Sequence, residues 1–230
     1  MTIQFQNVTL RYHYDNFDVL QGANFTLIDG ANTILCDIQS GKGTICKLIL
    51  GNLAPTAGKV LINGVEACKM PKKDLNALYL TSQPTFFDNR SVLYNLEYPS
   101  RVRKTLKDNR EKLLQLAQTF GLTEILGKKV KSLTMPQKLK LSVARGLSAP
   151  RQIVLFDGFF DDTSWEDLCP ELTISNLLSG FGGIKVVLTT RAHNATGNTV
   201  VMDGGKCVYQ GDSNTAKETV ANLGWLADKI

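Results

Sequence analysis

The chain has 230 residues, 43% of them hydrophobic and 20% charged, with a formal net charge of +5, a balance that excludes a disordered chain and allows one substantial core. No apolar run reaches the roughly 18 to 20 residues that cross a bilayer, and the opening residues 1–12 lack the basic and apolar regions of a signal peptide, so a cytoplasmic protein is expected. Five cysteines, Cys36, Cys46, Cys68, Cys169 and Cys207, are odd in number and without CxxC spacing, which argues against a disulfide framework or a zinc site and for reduced, buried thiols.

Apolar and polar residues alternate at Ile3, Phe5, Val8 and Leu10 and again at Phe25 and Leu27, with Gly22 and Asp29-Gly30 as turn signals; this predicts antiparallel strands. Residues 33–35 read as a short buried strand, a loop runs through Gly43, and Ile45, Leu48, Ile49 and Leu53 fall at helical spacing. Further strands are predicted at 59–62 and 77–80. Residues 91 to about 126 read as mostly helical, with Leu113, Leu114, Leu116, Ala117 and Phe120 on one face. A helix at 138–147 leads to apolar strands at 153–156 and 186–188, and residues 200–209 read as a hairpin turning at Gly204-Gly205. Buried strands alternating with helices predict an α/β fold with a mainly parallel sheet, an N-terminal antiparallel β-subdomain and a helical insert at about 86–150 within one domain, 1–230.

Strand, loop and helix in that order are the setting of a phosphate-binding loop, in which backbone N–H groups, the helix start, a lysine and a hydroxyl share the phosphates and magnesium. The candidate segment is Cys36-Asp37-Ile38-Gln39-Ser40-Gly41-Lys42-Gly43-Thr44. Gly41 and Lys42 stand where the pattern requires them. The opening glycine is replaced by Cys36, the hydroxyl residue after the lysine by Gly43, and Asp37 would oppose an anion by roughly 1 to 3 kcal/mol at about 6 Å. Asp161 and Asp162 read as turn residues, and His13 and His193 as surface residues.

Across about residues 3–212 the sequence resembles the nucleotide-binding subunit of ABC transporters, which implies a P-loop NTPase fold. By that resemblance Tyr12 stacks on adenine, Gln39, Ser40, Gly41, Lys42, Gly43 and Thr44 hold phosphates, and Gln83 senses the γ-phosphate and magnesium. Leu133, Thr134, Met135, Pro136 and Gln137 match the signature loop, and Asp157 matches the magnesium-organising aspartate that ends the Walker B strand. The departures concern the chemistry. Gly158 stands where the family has the carboxylate that polarises water, Thr190 where it has the switch histidine, Ser164 where it has the D-loop aspartate, and Met135 and Pro136 where it has two signature glycines. Single groups at a transferring phosphate are worth factors of about 10³ to 10⁵, so no catalytic residue is assigned.

The resemblance therefore implies a degenerate ABC subunit that binds ATP weakly, with Mg²⁺, and hydrolyses it little or not at all. It would sit at the inner face of the membrane and partner a competent ABC subunit and a transmembrane subunit, without nucleic acid. Two alternatives stay open: a slow ATPase powering transport in a mixed dimer, and an ABC-fold scaffold that holds no nucleotide.

Overall fold

The computed structural model describes residues 1–13, 16–37, 41–161 and 169–225. Gln39, Ser40, Asp162 and Ser164 lie outside them. Strand β1 (Thr2–Leu10) pairs antiparallel with β2 (Leu20–Ile28), and Ile3, Phe5, Val8 and Leu10 are buried as the alternation predicts. The step from Phe5 to Val8 breaks the period of two because a bulge intervenes at Asn7, whose φ of 48° and backbone N–H bond to the Asn24 side chain suit asparagine. Phe5 and Phe25 stack across the pair with ring centroids 4.2 Å apart.

Strand β3 (Gly30–Cys36) leads through the loop to α1 (Lys42–Ile49), shorter than the spacing to Leu53 implied. Gly51 ends this helix at φ 60°, with Asn52 N–H returning to the Lys47 carbonyl, and Leu53 packs on the core from outside it. Next come β4 (Ala57–Ile62), β5 (Val65–Glu66), α2 (Lys72–Leu75) and β6 (Ala77–Thr81). Then follow α3 (Val92–Val102), α4 (Leu106–Thr119), α5 (Met135–Leu147), β7 (Ile153–Asp157), α6 (Ile174–Gly180), β8 (Ile184–Thr189), β9 (Asn198–Asp203), β10 (Lys206–Gly211) and α7 (Ser213–Asn222).

The chain divides into two compact units, residues 1–79 with 152–161 and 182–230, and residues 80–151 with 162–181. In the first, an antiparallel sheet of order β2-β1-β4-β5 stands beside a six-stranded sheet of order β10-β9-β3-β8-β7-β6, parallel at the β3–β8, β3–β9 and β7–β8 pairs. Both faces of the parallel sheet are covered, which is why its strands read as continuous apolar runs. Ile34, Cys36, Val200 and Met202 face a core shared with α1 and the antiparallel sheet, whereas Leu35 and Val201 meet Ala216 and Val220 of α7. The two sheets are tied by the Gln210 side chain, which accepts from Thr26 N–H and donates to the Thr26 carbonyl. The β9–β10 hairpin turns at Gly204 and Gly205, both at positive φ, as expected.

In the second unit Ser91 caps α3, and the buried Asn95 side chain accepts from Phe87 N–H and donates to the Phe87 and Ser91 carbonyls, fixing the loop before the helix. The expected apolar face of α4 is narrower than predicted: Leu113, Ala117 and Phe120 are buried, Leu116 is half-buried and Leu114 is exposed. Helix α5 begins three residues earlier than the predicted 138, with Met135 and Pro136 in its first turn. Thr134 and Gln137 explain this by forming a reciprocal capping box. None of the cysteines is in a disulfide; Cys36, Cys46 and Cys169 are buried, but Cys68 is exposed and Cys207 half-buried, against the expectation for all five. No described helix is long and apolar enough to cross a membrane.

Candidate functional site

Gly41 precedes α1 at φ 88°, a conformation glycine adopts freely, and its carbonyl accepts the first intrahelical bond, from Ile45. The amides at the start of α1 have no partner within the helix and face an open cleft of about 360 Å³ lined by Val19, Asp37, Gly41, Lys42, Gly43, Thr44 and Lys47. The helix start and Lys47 favour an anion there, and Asp37 on the same wall opposes it.

The Lys42 ammonium is already paired: Nζ donates to Asp161 Oδ2 at 2.6 Å. Asp161 lies in a turn, its N–H bonded to the Gly158 carbonyl, as its sequence context suggested. Its side chain does more than the turn requires, because Oδ1 accepts from the Thr189 hydroxyl at 2.5 Å and from Thr190 N–H at 3.2 Å. Asp161 and Thr189 are thus site residues that sequence reasoning missed; Lys42 and Asp161 are 119 positions apart, and no local pattern links them.

Gly158 has φ 58°, and a Cβ built on it would lie 3.4 Å from Asp161 Oδ2 and 3.9 Å from Lys42 Nζ. A side chain at 158 would therefore enter this ion pair in a strained backbone. Thr190 contributes its backbone N–H to Asp161. Neither position supplies a general base.

Tyr12 is half-buried against the core; its hydroxyl shares a 3.0 Å hydrogen bond with Thr44 Oγ1, and Lys47 Nζ lies 5.7 Å from its ring centroid. Asp157 ends β7, and its Oδ2 accepts the Tyr79 hydroxyl at 2.6 Å. Burial first, then this bond, pushes the Tyr79 phenol well above its usual value. Burial likewise drives up the Cys46 thiol, with Asp157 adding to the effect, so Cys46 is an inert core residue.

A magnesium site of the phosphate-loop kind needs a hydroxyl after the lysine and an aspartate open to the ion. Gly43 offers no side chain, the Thr44 hydroxyl is bonded to Tyr12, and Asp157 holds Tyr79. The described residues, so hydrogen-bonded, do not fit such a site. Gln83, exposed two residues beyond β6, and residues 133–137, at the start of α5, belong to the second unit. His13 and His193 are both exposed, as expected.

The two-sheet α/β unit with a strand-loop-helix anion cradle defines a P-loop NTPase fold. The family model described as "ABC transporter" matches residues 20–160, and the chain belongs to the ABC transporter family. It is 24% identical over 202 residues to a molybdate/tungstate import ATP-binding protein of Pyrococcus horikoshii, covering 86% of this chain and 56% of that one. It is 26% identical over 219 residues to an ATP-dependent lipid A-core flippase of Neisseria gonorrhoeae, covering 91% and 35%. With an iron-sulfur clusters transporter of Debaryomyces hansenii the identity is 32% over 164 residues, covering 67% and 23%. The chain thus spans about half of the first of these relatives and smaller shares of the others.

Proposed function

We propose that the chain is a degenerate ABC nucleotide-binding domain that holds ATP weakly, with little or no hydrolysis, at the cytoplasmic face of a membrane. It would partner a competent ABC subunit and a transmembrane subunit, as one ABC ATPase-like domain over 1–230 with its helical part at about 86–150. The observation that carries the reading is the Lys42–Asp161 pair next to Gly158: the phosphate-reaching lysine is neutralised from within, position 158 carries no side chain to activate water, and the carboxylate beside it is held by Lys42. Tyr12, the described loop residues Gly41, Lys42, Gly43 and Thr44, and Gln83 remain the proposed nucleotide contacts. Gln39 and Ser40, outside the described residues, complete the proposed loop. Gln83, and Asp157 once Tyr79 releases its carboxylate, are the proposed positions toward any ion carried with the nucleotide, and residues 133–137 are the proposed signature segment.

The relatives' ATP-binding and transport roles support the nucleotide-binding and transport parts of this reading, and the Lys42–Asp161 pair supports the loss of turnover. The test is to purify the chain, titrate ATP by thermal shift, and measure phosphate release by wild type and by Gly158→Glu. A modest melting-temperature rise without turnover in either protein is expected, since a ligand at about 100 times its Kd adds roughly 2.7 kcal/mol and the new side chain would enter a strained backbone beside the like-charged Asp161. Recovery of turnover by that single substitution would refute the reading.

A further inference from the structure

We propose that Asp161 sets the nucleotide preference of this site, its carboxylate occupying the place of a terminal phosphoryl group so that the cleft takes nucleoside diphosphate in preference to triphosphate. The proposal rests on the reading that the cleft holds a nucleotide at all. In a phosphate loop the lysine reaches the outer phosphates while the amides at the helix start cradle the inner ones. Here the outer anion is built in: Asp161 Oδ2 lies 2.6 Å from Lys42 Nζ.

The carboxylate is anchored and does not merely rest against the lysine. The Thr189 oxygen, on a fully buried residue, accepts from Arg191 N–H at 3.0 Å and from Asn194 Nδ2 at 3.3 Å, so its own proton is committed to Asp161 Oδ1. Thr190 N–H adds a second donor to the same oxygen. Swinging Asp161 away would leave a buried hydroxyl proton without a partner. A third phosphoryl group brought within reach of Lys42 would meet this fixed negative charge at hydrogen-bonding separation, where repulsion is strong. A diphosphate keeps the amides of the helix start and Lys47 at the cleft wall, and avoids that encounter.

The test is calorimetric titration of the full chain with ADP and with ATP, in EDTA so that only the chain's own groups contribute. Wild type should bind ADP about tenfold or more tighter than ATP. Asp161→Asn keeps an oxygen for Thr189 and Thr190 but removes the charge, and should erase the preference by strengthening ATP binding. Thr189→Val, which loosens the anchor and leaves the charge, should narrow the ratio in the same direction. Equal or tighter ATP binding by wild type overturns the proposal without recourse to any variant, as does an unchanged ratio in Asp161→Asn, and both results leave the nucleotide-holding reading intact. If neither nucleotide binds at millimolar concentration, that reading falls and the proposal with it.

Discussion

The Tyr79 hydroxyl donates to Asp157 Oδ2 at 2.6 Å, so the aspartate that ends β7 faces a phenol from the neighbouring region of the sheet. A hydrogen bond to a charged acceptor contributes more than a neutral one, and partial exposure of Tyr79 reduces the gain. Tyr79→Phe should therefore lower stability by about 0.5 to 1 kcal/mol, a shift of about 1 to 4 °C in Tm for a domain of this size. Because the folded phenol sits above its unfolded value of about 10, the folded state retains the proton longer and stability falls as pH rises beyond that point. Urea melts of wild type and Tyr79→Phe should differ by a constant amount below about pH 10, and the gap should shrink above it.

Gly183 enters β8 at φ 70°, and a Cβ there would lie 2.2 Å from the Gln152 carbonyl oxygen, which itself accepts from Ile184 N–H at 2.9 Å. Backbone cannot yield as a flexible side chain can, so Gly183→Ala should cost about 2 kcal/mol or more. Gly182→Ala, whose Cβ would meet open space, is the control. Chemical denaturation of the two variants should separate them clearly.

Asp212 caps α7, accepting from Thr215 and Asn214 N–H groups, and the Thr215 bond above all holds its carboxyl down at about 2. A depressed folded value means that the stabilisation is present above the unfolded value of about 3.9 and is lost as pH falls through the folded one. Asp212→Ala should melt below wild type at neutral pH, and scanning calorimetry should find the difference closing toward pH 2.

The parts of the fold legible from sequence are those in which neighbouring residues carry the whole signal. Gly204-Gly205 gave the hairpin because both central positions need positive φ, and the alternation in β1 survived in the buried set on either side of its bulge. The start of α5 was equally local, since Thr134 followed three residues later by Gln137 is a capping-box signature, yet the expected loop ran through it. The site was less legible because its decisive contacts span the chain. Lys42 and Gly158 could be placed by pattern, but the pairing of Lys42 with Asp161, and of Asp161 with Thr189, arises only when the start of α1, the turn after β7 and the end of β8 come together.

The proposed inactivity follows from a phosphate-loop scaffold that persists without the groups that would cleave a bound triphosphate. Phosphate release from ATP by the purified chain, measured beside Lys42→Ala, tests it most directly. The two proteins should release phosphate at the same background rate. Turnover by wild type clearly above the Lys42→Ala rate would contradict it, because hydrolysis would then be passing through this chain's own site.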